Sequence, residues 1–68
     1  MHFTIEIEQE TDGRFLAEIP QLSGVMAYGA SAAEAAHRAQ ALALRVVAEQ
    51  IEHGEVGSEY LTIAFHAA

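Results

Sequence analysis

Ten carboxylates and four histidines are the groups in this 68-residue chain best suited to chemistry. Carboxylates that converge from separate elements can hold two metal ions for nucleic-acid hydrolysis. Here Glu6 and Glu8 lie in one alternating run and Glu34 opens an alanine-rich stretch. Glu59 only precedes the last apolar run, which contains no acid. Glu6 and Glu8 point away from Phe3, Ile5 and Ile7, so these acids are expected to form a solvated charged face rather than a catalytic cluster. His2, His37, His53 and His66 have no pair at ligand spacing such as H-x3-H. Four separate surface histidines are expected, with His2 and His66 at opposite ends of the sheet, to meet at most across a dimer. Ser23, Ser31 and Ser58 have no nucleophile-elbow context. Gly24 and Gly29 bracket a short apolar run and make no phosphate loop. Tyr28 and Tyr60 have no basic neighbour in sequence to build a stacking platform. The expectation is no enzyme, no metal and no cofactor.

Composition narrows the alternatives. A chain this short buries only about 60% of the surface its unfolded form exposes. Its core is therefore spent on folding, with little left for a deep pocket. Small domains gain stability from a disulfide, a metal or a partner subunit. The chain has no cysteine, so a partner is the remaining device. The hydrophobic fraction of 51% argues against disorder and leaves apolar side chains for a partner to cover. The net charge is −7, with three arginines and no lysine. Such a field repels phosphate backbones and steers a basic protein instead. No signal peptide is visible at the N-terminus. Charged residues break the stretch from Ala30 to Ile51, so no membrane span is expected. A cytoplasmic location is expected.

The elements that position these residues follow from the hydrophobic pattern. His2 to Glu8 alternates, with Phe3, Ile5 and Ile7 on one side, and reads as a half-buried strand. Asp12-Gly13 supplies the positive φ angles of a hairpin turn. Arg14 to Ile19 alternates again, and Pro20 ends it. Val25 to Tyr28 is a short third strand. Ser31 and Glu34 form a capping box at the start of a helix that runs to about Glu52, with Gly54 just beyond its end. Ala32, Ala35, Ala36, Ala39, Leu42, Ala43, Val46 and Val47 share its inner face. Tyr60 to His66 is the last strand, with Leu61, Ile63 and Phe65 inward. The fold class is α+β, in the order β-β-β-α-β. A single helical crossover makes the last strand parallel to the first, giving the spatial order 3-2-1-4 with one bare sheet face.

The run Glu10-Thr11-Asp12-Gly13-Arg14-Phe15-Leu16-Ala17-Glu18-Ile19-Pro20-Gln21-Leu22-Ser23-Gly24 resembles the signature of the HicB antitoxin family. Gly29-Ala30-Ser31-Ala32-Ala33-Glu34-Ala35 is similar to that family's helix start. Ser23 stands where a second proline is usual, and Val25 where a cysteine is common. The resemblance spans nearly the whole chain. It implies a truncated ribonuclease-H-like fold without catalytic activity, and a role in neutralising a small basic HicA-type toxin that cleaves messenger RNA. Many family members carry a C-terminal DNA-binding module; with Ala68 directly after the last strand, residues 1–68 are expected to be one HicB-like domain without it.

The leading expectation is toxin neutralisation by occlusion, with Glu6, Glu8, Glu10, Asp12 and Glu18 as the acidic docking surface. The alternative is a stand-alone homo-oligomeric interaction module. Its interface would use the uncharged third strand at the sheet edge, Val25, Met26, Ala27 and Tyr28, together with Leu16. Thr4, Leu16, Thr62 and Ala64 on the bare face are a second contact candidate.

Overall fold

The computed structural model describes residues 1–68. Four strands form one sheet in the order β3-β2-β1-β4. They are β1 (His2–Gln9), β2 (Phe15–Glu18), β3 (Met26–Gly29) and β4 (Ala64–Ala67), with helix α1 (Ala32–Glu52) between β3 and β4. β1 is antiparallel to β2 and parallel to β4, and β2 is antiparallel to β3. The expected topology is therefore the one observed. No helix is long and apolar enough to cross a membrane.

Local chemistry accounts for the boundaries. Gly13 takes φ 92°, and its N–H donates to the Glu10 carbonyl. No non-glycine residue has positive φ, so the hairpin turn uses one left-handed residue where Asp12-Gly13 was expected to supply two. Asp12 Oδ1 accepts from the Arg14 N–H and closes the turn. At the other end of the β1–β2 pair, Thr4 would face Pro20, which has no N–H to give. The Gln21 side chain fills that place. Its Oε1 accepts from the Thr4 N–H and its Nε2 donates to Thr4 Oγ1, both at 3.1 Å. At the helix start, Ser31 Oγ accepts from the Glu34 N–H. Glu34 Oε1 in return accepts from the N–H of Ala30, one residue before the cap. At the helix end, Gly54 N–H donates to Ile51 and Glu55 N–H to Gln50, which satisfies carbonyls the last turn would leave open.

The core lies between α1 and the inner sheet face. Phe3, Ile5, Ala17, Ile19, Leu22 and Val25 meet Ala35, Ala39, Ala43 and Val47 of the helix. Phe3 and Ile19 are the largest fully buried side chains. Phe3 packs on Tyr60 and Phe65 with ring centroids 6.0 and 5.5 Å away. Ile7 shares the inner side yet is 40% exposed, because α1 lies mainly over β2 and β3.

The end of the chain departs from expectation. The last strand is Ala64–Ala67, not Tyr60–His66, and Ser58–Tyr60 is a 3-10 turn. Leu61 is 86% exposed rather than inward. β1 begins at His2, opposite Ala64, so residues 60–62 lie beyond its ladder. Leu61 adopts helical angles at the end of the turn, and its N–H donates to Ser58. Alternation therefore has no meaning at that position, while Ile63 and Phe65 still pack against the core.

Gly29 is buried where β3 hands over to the helix. A Cβ there would sit 2.4 Å from the Ala35 nitrogen and 2.9 Å from its Cα. Backbone atoms cannot swing aside as a side chain can. Gly29→Ala is expected to lower the unfolding free energy by about 1–3 kcal/mol, as overpacking does. Urea unfolding followed by circular dichroism checks this, and an unchanged midpoint would contradict the close contact.

Candidate partner-binding face

The strand alternation that buries Phe3 and Ala17 puts a different set on the opposite face. Two rows of directly paired residues cross it. One row runs Glu8, Leu16, Tyr28, and the other Glu6, Glu18, Met26. Glu6, Ile7, Glu8, Leu16 and Glu18 line an open groove of about 320 Å³. Met26 and Tyr28 are 45% and 42% exposed beside it. The surface is thus an acidic groove with an apolar margin.

Its charge is uncompensated within the chain. Arg14 Nε binds Asp12 Oδ2 at 2.7 Å, and Arg38 lies 3.6 Å from Glu34. These ion pairs use two of the three arginines and leave Glu6, Glu8 and Glu18 without a cation. Glu6 and Glu18 are moreover direct cross-strand partners, an arrangement of like charges that costs stability.

Of the five acids expected to form the docking surface, Glu6, Glu8 and Glu18 come together. Asp12 is at the hairpin tip, engaged with Arg14. Glu10 is at the hairpin base, where its backbone N–H donates to Arg14. Glu34 is on the helix. No group of three or more His, Cys, Asp or Glu side chains is spaced to hold a metal ion.

The residues expected at an oligomer interface divide in two. Val25 is buried and Ala27 half-buried on the inner side, whereas Met26, Tyr28 and Leu16 lie on the outer face. The bond from Ile19 N–H to Val25 O fixes the alternation along this edge. Val25, Ala27 and Gly29 address β2, and Met26 and Tyr28 turn their backbone groups outward. The Tyr28 carbonyl accepts from Arg38 Nη1 at 3.0 Å. Of the other contact candidates, Thr4 is held by Gln21 and Ala64 lies on β4, while Thr62 precedes that strand.

Two placements correct the expectations from sequence. Tyr28 does have a basic neighbour, since the Arg14 guanidinium stands 4.3 Å from its ring centroid. The pairing of β2 with β3 closes a gap of fourteen positions that linear adjacency hides. His2 and His66, expected at opposite ends of the sheet, are in contact, with His2 Nδ1 2.9 Å from His66 Nε2. β4 is short and runs beside the start of β1, so that Thr4 faces His66 and His2 is its diagonal neighbour.

Comparison with protein-family models, with curated proteins and with solved structures finds no match.

Glu18→Gln is expected to stabilise the fold by about 0.2–1 kcal/mol by relieving the Glu6 contact, with a smaller gain at high salt. Thermal unfolding at two ionic strengths measures it, and a loss of stability would refute the repulsion. Asp12 behaves oppositely. The Arg14 backbone N–H, then the Arg14 side chain, hold its carboxyl below the usual range. Its contribution is present above the ordinary carboxylate value and is lost as pH falls through the lowered folded value. Asp12→Asn is therefore expected to flatten the acid limb of the stability profile, read from unfolding midpoints across pH.

Proposed function

We propose that this chain is a HicB-like antitoxin domain, acting in the cytoplasm to neutralise a small basic messenger-RNA-cleaving toxin of the HicA type by covering its RNA-binding surface. The observation that carries this reading is the exposed groove of Glu6, Glu8 and Glu18 with no internal cation. An acidic groove competes for the same basic surface that an RNA backbone would occupy. Leu16, Tyr28 and Met26 beside the carboxylates supply apolar contact, which governs residence time, while the charge accelerates encounter. The resemblance along Glu10–Gly24 and Gly29–Ala35 supports the family assignment, and the observed β-β-β-α-β topology agrees with the fold it implies.

A second reading, a homo-oligomeric module without a toxin, is supported by the exposed Met26 and Tyr28 on an edge strand. It places two copies face to face or edge to edge. The groove favours the first reading, because pairing identical faces would bring carboxylates against carboxylates.

The test is co-expression with a small basic toxin of the HicA type. Wild type is expected to rescue growth, and a Glu6→Lys, Glu8→Lys, Glu18→Lys variant is expected not to. Association of the purified pair is expected to slow by about tenfold or more as salt is raised from low to high. Rescue by the triple variant, or association that ignores salt, would refute the occlusion reading. A stable dimer with no toxin-binding activity would establish the second.

A further inference from the structure

His2 and His66 stand apart from the acidic groove and are not used by the proposed function. Their rings lie with centroids 5.1 Å apart and planes inclined by 26°. Both residues are exposed. Neither has a carboxylate partner in an ion pair. The backbone fixes their relation. β1 is an inner strand of the sheet, and the parallel ladder His2 to Ala64, Thr4 to His66 sets both imidazoles on one face of adjacent strands.

The geometry points to a two-imidazole chelate for a divalent ion of the Cu²⁺ or Ni²⁺ class. The facing nitrogens, His2 Nδ1 and His66 Nε2, are 2.9 Å apart. With metal–nitrogen bonds of about 2.0–2.1 Å, that separation subtends about 90° at the ion. Square-planar, tetragonal and octahedral ions take this angle between adjacent ligands. A tetrahedral zinc site would need the nitrogens about 3.3–3.4 Å apart. Imidazole is also a ligand type that copper and nickel favour.

In the metal-free pair one ring donates its N–H to the lone pair of the other. Binding requires the donor ring to carry its proton on its other nitrogen, so that both facing nitrogens present lone pairs. Each ring then turns by about 45° to aim at a common point, the angle set by the same bond lengths. Exposed rings are free to make that turn. No third protein ligand joins them, so the remaining coordination positions belong to water, and the site is an open one. The second imidazole binds as an intramolecular ligand, which raises affinity well above that of a single histidine.

Titration calorimetry of the full chain with NiCl₂ or CuCl₂, in a weakly coordinating buffer, tests the chelate. One ion per chain is expected. His2→Ala and His66→Ala are each expected to weaken binding by about 10²-fold or more, since either change removes the chelate gain. A His37→Ala, His53→Ala variant is expected to bind as wild type does. Electron paramagnetic resonance of the copper-loaded wild type, which needs no variant, is expected to show two coordinated imidazole nitrogens. Wild-type affinity in His66→Ala would overturn the site, because the ion would then be held by His2 with the Met1 amino group. That amino group is engaged by the Glu59 and Thr62 carbonyls at 3.0 and 2.6 Å. Loss of binding in the His37, His53 variant, a one-nitrogen spectrum, or no binding at all would equally refute it.

Discussion

Ala35, Ala39 and Ala43 have no exposed surface, and Gly29 faces the Ala35 backbone with no room for a side chain. Together they set how closely α1 lies on the sheet. Everything else in so small a chain depends on that distance. A helix lined by leucines would stand further off and leave Phe3 and Ile19 as incomplete fillers of a wider gap. With alanines the two layers come close, and Phe3 and Ile19, with Ile5, Leu22, Val25 and Val47, fill the interior between them. The contact also couples the helix start to the sheet, because the residue that ends β3 touches the first turn of α1.

A thin core has a consequence for where chemistry can reside. Alanines and a few larger apolar side chains line the interior, no polar residue is buried there, and the one pocket is the open groove on the outer face. Recognition must use the outer surface. The outer sheet face carries the groups that folding does not need, and some that folding would reject. Glu6 opposite Glu18 opposes stability, and no arginine of the chain relieves it. Charge of one sign is thus held in place against a local cost, the feature on which the proposed function rests.

Much of this was legible in the sequence. Period-two alternation gave β1 and β2 and the sides they present, and the bracketing Gly24 and Gly29 gave β3. The Ser31–Glu34 cap and the alanine face gave the helix and its close approach. Connectivity rules gave the strand order. The acids Glu6, Glu8 and Glu18 were legible as one face because alternation assigns them to one side. What was not legible depended on register. The shift of β4 toward the start of β1 brought His2 to His66 and released Leu61 to solvent, and no pattern in Tyr60–His66 announces it. Arg14 over Tyr28 likewise needed the pairing of β2 with β3. The clasp of Gln21 on Thr4 was hidden because a side-chain amide there does the work of a backbone group that proline lacks.

Arg38 has a consequence beyond its helix. An uncharged edge strand offers a template on which identical chains can stack without limit, and β3 has neither lysine nor proline to discourage them. Only Met26 and Tyr28 turn backbone groups outward, and the guanidinium from the helix occupies the Tyr28 carbonyl. The Tyr28 N–H and the backbone groups of Met26 stay open, a short foothold for cross-β growth. The sheet edge is thus partly blocked across the fold, by a helix residue ten positions beyond the tyrosine whose carbonyl it takes.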